Sequence, residues 1–177
     1  NIYTLKDEKN NYLKTSLGSG VIMSSDGIIV TNFHVIKNAV QIKILLYDGR
    51  ESPAEIIDWD REIDLAILKV NLDDLKPISL GNPDSAKVGD IVLAIGNPKG
   101  IGQAVTQGII SAVGINGLRL NSLENFIQTD AAINEGSSGG ALIDIYGNLL
   151  GINTLSLNGN GASGIGFAIP VDEVKKV

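Results

Sequence analysis

The run Asn134-Glu135-Gly136-Ser137-Ser138-Gly139-Gly140-Ala141-Leu142 sets a serine among small residues, with Gly136 before it and Gly139-Gly140 after it. A nucleophilic hydroxyl needs open space for a substrate carbonyl, and backbone N–H groups free to point at the oxyanion that forms. Glycine permits both the unusual torsions and the close approach. Gly-Ser runs also mark plain turns, so the rest of the chain has to arbitrate. The chain has a single histidine, His34, in Thr31-Asn32-Phe33-His34-Val35-Ile36. Further on comes Asp64, in Asp60-Arg61-Glu62-Ile63-Asp64-Leu65-Ala66-Ile67-Leu68-Lys69-Val70.

These three residues form a set with defined roles. A serine attacks an amide only if a base takes its proton, and His34 is the one imidazole available. A carboxylate then holds the imidazole in the right tautomer and stabilises the imidazolium. Asp64 is the candidate. Asp58, Asp60 and Glu62 are rivals in the same acidic run, where a charge run is usually a solvated face. Asp64 differs because it heads an apolar strand, where a carboxylate can be half buried. The order His, Asp, Ser is that of chymotrypsin, not of subtilisin or the α/β-hydrolases.

Further segments carry a resemblance over essentially the whole chain. They are Thr31 to Val35, Asp64 to Lys69, Ala94-Ile95-Gly96-Asn97-Pro98, Thr106 to Ala112, Gln128 to Asn134, Gly151-Ile152-Asn153-Thr154 and Gly164 to Pro170. With the serine run, they resemble the HtrA/Deg family of trypsin-like serine proteases, and within it the DegS type. The resemblance implies an all-β fold of two six-stranded antiparallel Greek-key barrels, residues about 1–80 and about 85–170, followed by the start of a C-terminal helix at 171–177. The active site would lie in the cleft, with His34 and Asp64 from the first barrel and Ser138 from the second.

The same resemblance implies an oxyanion hole made by the N–H groups of Gly136 and Ser138. It implies a specificity pocket of Ile133, Ser156, Leu157 and Ile165, in which no acid sits, so cleavage is expected after Val, Ala or another small aliphatic residue. The backbone of Thr154, Leu155 and Ser156 would pair with substrate as an added strand. Three positions depart from the family pattern. Ser137 stands where asparagine is usual before the nucleophile, and Glu135 where proline is common. Ile115 replaces an arginine that transmits activation in DegS-like relatives; Arg119 is near enough in sequence to substitute. Activation is therefore expected to be rewired or weak.

Composition narrows the partners. The chain has 177 residues, 44% of them hydrophobic, which suits one globular domain or two small barrels around one cleft. A net charge of −6 with no basic run argues against a nucleic-acid partner. There is no cysteine, hence no disulfide and no thiol nucleophile. Gly96-Asn97-Pro98-Lys99-Gly100-Ile101-Gly102 lacks the Gly-Lys-Ser/Thr ending of a phosphate loop. No Cys/His cluster suggests a metal, and no cofactor is expected.

No apolar stretch reaches the roughly 18 residues that span a bilayer, and no signal peptide is present. The start, Asn1-Ile2-Tyr3-Thr4-Leu5, reads as the middle of a strand, so a targeting segment or membrane anchor is expected upstream. Relatives of this type lie in the bacterial periplasm, work as homotrimers, carry a PDZ domain after the protease domain, and cleave an anti-sigma factor. The short segment before Gly18 favours this regulatory type over chaperone-like relatives.

Most segments read as short strands bounded by Gly, Asn, Asp or Pro. Gly18 to Met23 and Gly27 to Thr31 flank the turn Ser24-Ser25-Asp26-Gly27, a hairpin signal. Val40 to Leu45 alternates apolar and polar residues, as a half-buried strand does. Pro77 to Gly89 reads as a linker. Only Val35 to Asn38 and the tail from Val171 read as helical. A binding module that holds peptides without cleaving them, or a resting protease, remains the alternative to an ATP-independent serine endopeptidase.

Overall fold

The computed structural model describes residues 1–8, 11–100, 102–118, 124–156 and 164–177, with backbone alone for 6–8, 11–16 and 155–156. The first half contains β1 (Ile2–Glu8), β2 (Asn11–Gly18), β3 (Val21–Ile22), β4 (Ile28–Thr31), the single helical turn α1 (Phe33–Ile36), β5 (Gln41–Leu45), β6 (Glu51–Asp60) and β7 (Leu65–Val70). The second half contains β8 (Ile91–Gly96), β9 (Ala104–Ile115), β10 (Phe126–Thr129), β11 (Ala141–Ile143), β12 (Leu149–Ser156), β13 (Gly166–Pro170) and α2 (Val171–Val174).

Strands β8 to β13 close into a six-stranded barrel in the order β10-β13-β12-β11-β8-β9, as expected for the second half. Strands β1 to β7 form one antiparallel sheet in the order β2-β1-β5-β6-β7-β4-β3. The all-β, two-barrel architecture therefore holds, with one difference of detail. The first sheet has seven strands rather than six and is a half-barrel. Its two ends explain this. On one side β2 pairs with β1 alone, and on the other the two-residue β3 pairs with β4 alone, so the ends do not meet.

The local reading explains the strands. In β5 the side chains alternate as the sequence does, with Ile42 and Ile44 buried and Gln41 and Lys43 exposed. In β7 both faces are covered, and Leu65, Ala66, Leu68 and Val70 are all buried. Three apolar clusters follow. One fills the half-barrel around Ile29, Val35, Ile44 and Leu68. A second fills the closed barrel around Val92, Ile110, Leu142 and Ala168. The third joins the halves, with Val21, Val30 and Leu65 packed with Phe126, Ile152 and Phe167. The ring centroids of Phe126 and Phe167 are 5.7 Å apart and tilted, a favourable aromatic geometry.

The stretch read as a linker is stitched to both halves. Ile78 donates its N–H to the Ile22 carbonyl (3.0 Å), and Leu80 bridges Leu149 in parallel. The tail begins a helical turn, α2, at Val171–Val174. Among the described residues no helix is long and apolar enough to cross a membrane.

Candidate active site

Asp64 ends the turn that leads into β7 and adopts φ +60°, a left-handed conformation that aspartate tolerates better than most residues. Several hydrogen bonds hold it there. Its carbonyl accepts from the Phe33 N–H (3.1 Å) and from the Asn32 side-chain amide (3.0 Å). Its carboxylate Oδ1 accepts from the His34 backbone N–H (2.8 Å). Its Oδ2 lies 2.6 Å from His34 Nδ1 and accepts from the Thr154 hydroxyl at 3.2 Å. The Asp64 side chain is 10% exposed, whereas the His34 side chain is 41% exposed, so the ring has one edge on a buried carboxylate and the rest open. A carboxylate partner puts the proton on Nδ1 and leaves Nε2 as the basic nitrogen.

The three rival acids do other work. Asp60 Oδ1 accepts from the N–H groups of Glu62 (2.7 Å) and Ile63 (3.3 Å), so it caps the turn that presents Asp64. Asp58 and Glu62 are exposed. The sequence placed Asp64 correctly at the head of a buried strand.

Ser138 lies beside this pair through one residue. Its hydroxyl donates to the Thr154 carbonyl (2.7 Å), and the Thr154 hydroxyl is the one that reaches Asp64. Among the described residues the Ser138 hydroxyl has no hydrogen bond to His34. Thr154 therefore ties the two halves of the site together from β12. The sequence reading assigned Thr154 only a backbone role; its hydroxyl contact was missed.

The segment before Ser138 is a tight turn. The Ser137 N–H donates to the Asn134 carbonyl (2.9 Å), with Gly136 at φ +94°. A Cβ on Gly136 would sit 2.3 Å from the Asn97 carbonyl oxygen, so only glycine fits both the torsion and the space. Ser137 is buried against Gly96, where a Cβ would lie 2.6 Å from the Ser137 Cα. The carbonyl of Glu135 accepts from the Lys99 N–H (2.9 Å), and that of Ser137 from the Gly140 N–H (3.0 Å). The N–H groups of Gly136 and Ser138 have no hydrogen-bond partner among the described residues. In a trans peptide N–H and C=O point opposite ways, so both N–H groups face away from the atoms that hold their neighbouring carbonyls.

The other singled-out residues scatter as follows. Ile133 is buried in the closed barrel, and its Cδ1 would meet a Cβ on Gly166 at 2.9 Å. Ile165 is half-buried against the cluster that joins the halves. In the β12–β13 ladder Asn153 pairs with Ala168 and Ser156 with Gly166, and the irregularity between them leaves Thr154 and Leu155 out of register. Leu155 and Ser156 are described by backbone only. Leu157 and Arg119 lie outside the described residues. Ile115 ends β9 opposite Phe126 and packs on the joining cluster. Among the described residues no group of His, Asp and Glu could hold a metal ion.

Comparison with known proteins agrees with this fold. A family described as the trypsin-like peptidase domain matches residues 18–152. The chain is 50% identical over 165 residues to the periplasmic serine endoprotease DegP of Escherichia coli strain K12, covering 92% of this chain and 35% of that protein. It is 53% identical over 157 residues to the periplasmic pH-dependent serine endoprotease DegQ of the same strain, covering 87% of this chain and 34% of that one. The solved structure of the HtrA-type protease AlgW with tripeptide superposes with a TM-score of 0.93 at 53% identity, over 99% of this chain and 57% of that one. The chain thus spans about a third of the length of these curated relatives.

Proposed function

Because the chain belongs to the trypsin-like peptidase family, in its HtrA/DegP branch, we propose that it is the catalytic domain of an ATP-independent serine endopeptidase of the bacterial periplasm. The observation that carries this reading is the 2.6 Å contact of His34 Nδ1 with Asp64, joined through Thr154 to the Ser138 hydroxyl. Substrate entry releases Ser138 from the Thr154 carbonyl, and rotation about its Cα–Cβ bond brings it to His34 Nε2. Catalytic hydrogen bonds commonly tighten only in the substrate complex. His34 takes the hydroxyl proton as Oγ attacks the scissile carbonyl, and Asp64 stabilises the imidazolium. The N–H groups of Gly136 and Ser138 receive the oxyanion. His34 then returns the proton to the leaving amine, and water hydrolyses the acyl-enzyme by the same path.

Specificity follows from the residue types at the expected pocket positions. Ile133 and Ile165, with Ser156 and Leu157, offer no carboxylate to a Lys or Arg side chain. The irregular stretch at Thr154 and Leu155 leaves backbone unmatched by β13, which suits pairing with an added strand. Substrates are unfolded or regulatory polypeptides. A regulatory, DegS-like role is the finer reading, in which the whole protein is a homotrimer with a PDZ domain, anchored in the inner membrane and acting on an anti-sigma factor. The likeness to AlgW supports the HtrA-type protease part of this reading.

The test is hydrolysis of labelled unfolded casein, with cuts mapped by mass spectrometry and Ser138 probed by a fluorophosphonate. Cuts after small aliphatic residues and a label on Ser138 are expected. Cuts after Lys or Arg would refute the pocket. An unlabelled Ser138 in a chain that binds peptide would instead favour a non-cleaving binding module. The bond from Ser138 to the Thr154 carbonyl gives that second reading its footing, since it describes a serine not yet engaged by its base.

Ile115 bears on regulation. At the end of β9 it packs on the joining cluster, where an arginine would instead reach for polar partners. Replacing Ile115 by Arg is expected to raise basal peptide hydrolysis by a few-fold, about 1 kcal/mol in the coupling between the site and its surroundings. Unchanged basal and peptide-stimulated rates would refute the rewired activation.

A further inference from the structure

Ser19 lies in the short gap between β2 and β3 and is buried, at 5% exposure. Every hydrogen-bonding group it has is used. Its N–H donates to the Ser138 carbonyl (2.8 Å). Its hydroxyl donates to the Gly136 carbonyl (2.8 Å) and accepts from the Asn97 N–H (3.0 Å). Its carbonyl accepts from the Thr31 hydroxyl (2.8 Å). So a residue of the half-barrel binds the carbonyls of the two residues whose N–H groups stand unpartnered in the site.

Three consecutive peptides decide where those N–H groups point. The Glu135–Gly136 peptide is held at its carbonyl by Lys99, and the Ser137–Ser138 peptide at its carbonyl by Gly140. Between them the Gly136–Ser137 peptide is the swivel. It follows a glycine at φ +94°, the least constrained residue type; its N–H is held by the Asn134 carbonyl (2.9 Å) and its carbonyl by the Ser19 hydroxyl. A net change in ψ of Gly136 or φ of Ser137, the torsions on either side of this peptide, would re-aim the Gly136 and Ser138 N–H groups relative to each other. The same hydroxyl accepts from Asn97, whose carbonyl lies against Gly136, so it also sets the distance between the 97–100 turn and the swivel.

We propose that Ser19 is a positioning residue for the oxyanion site: its hydroxyl locks the Gly136–Ser137 peptide and so aims the two N–H groups at one point. The inference rests on the proteolytic reading above. Its energy is felt mainly when negative charge develops, so removal should slow the chemical step and spare the binding of uncharged peptide.

The experiment compares the chain with Ser19→Ala and Ser19→Thr on a peptide bearing a small aliphatic residue before the scissile bond. Active enzyme is counted by fluorophosphonate titration, so a variant that folds in part is not misread. For Ser19→Ala, kcat is expected to fall about 10- to 100-fold with KM changed by less than about twofold, less than the loss of a whole oxyanion donor. The affinity of a peptide aldehyde should fall by the same factor. That inhibitor forms a hemiacetal when Ser138 Oγ adds to its carbonyl carbon, and its oxygen takes the oxyanion position. In a Ser138→Ala background, binding of the matching peptide amide should not change. Ser19→Thr, which keeps the hydroxyl, should recover most of the rate. An unchanged kcat per active site, or losses of aldehyde and amide affinity that are equal, would overturn the proposal. Inactivity of the unsubstituted chain would refute the proteolytic reading itself, and so is distinguishable.

Discussion

Replacing Ser138 by alanine is expected to lower kcat on casein or a peptide by about 10⁶-fold, the loss typical of a knocked-out serine nucleophile, while leaving the fold in place. The attacking oxygen is gone, and no other side chain described in the cleft replaces it. The segment itself is held by its backbone. The Ser138 carbonyl accepts from Ser19, the Gly139 N–H donates to the Asn153 carbonyl (2.7 Å), and the Asn153 N–H donates to the Gly140 carbonyl (2.8 Å). Alanine disturbs none of these. It removes one hydrogen bond, from Ser138 Oγ to the Thr154 carbonyl, a change of about 1 kcal/mol in stability. Fluorophosphonate labelling should vanish, while the urea midpoint stays close to that of the unsubstituted chain. Cleavage at the same bonds with more than about a hundredth of the original rate would mean that another group is the nucleophile.

How far the sequence reaches depends on the range of the interaction. The strand β7 was legible residue for residue, because its apolar run and the acidic turn before it are local. The glycines around Ser138 were legible because torsion and close approach leave few residue choices. Two other contributors were not. The Thr154 hydroxyl meets Asp64 across 90 positions, and the Ser19 hydroxyl meets Gly136 across 117. Serine and threonine are common and serve turns and caps as readily, so nothing in their own neighbourhoods marks them. Only the pairing of β12 beside β11, and of the gap after β2 beside the serine segment, brings these hydroxyls to their partners. The open edge of the first sheet was hidden for a similar reason. Whether β2 finds a second neighbour depends on the lengths and twist of six other strands, not on its own composition.

The substitution Asp64→Asn separates charge and tautomer from structure, and is expected to lower kcat by about 10⁴-fold with little loss of stability. Asparagine has nearly the same shape and tolerates the left-handed torsion of residue 64, φ +60°. Its hydrogen-bonding pattern is what fails. In the native site Oδ1 accepts from the His34 backbone N–H, and Oδ2 accepts from His34 Nδ1 and from Thr154. If the amide oxygen takes the first position, the NH₂ group faces Nδ1 and must donate to it. The ring proton then moves to Nε2, and the nitrogen that should receive the Ser138 proton is already occupied. If the amide is turned over, its NH₂ group faces the His34 backbone N–H, donor against donor, and the backbone cannot change its role. The first orientation costs less, so the variant should fold with its imidazole in the wrong tautomer. Proton NMR of the ring would show the proton on Nε2, and the urea midpoint would hardly move. A loss of kcat below about tenfold would show that the carboxylate does not set the tautomer, and would return the role to another acid of the 58–62 run.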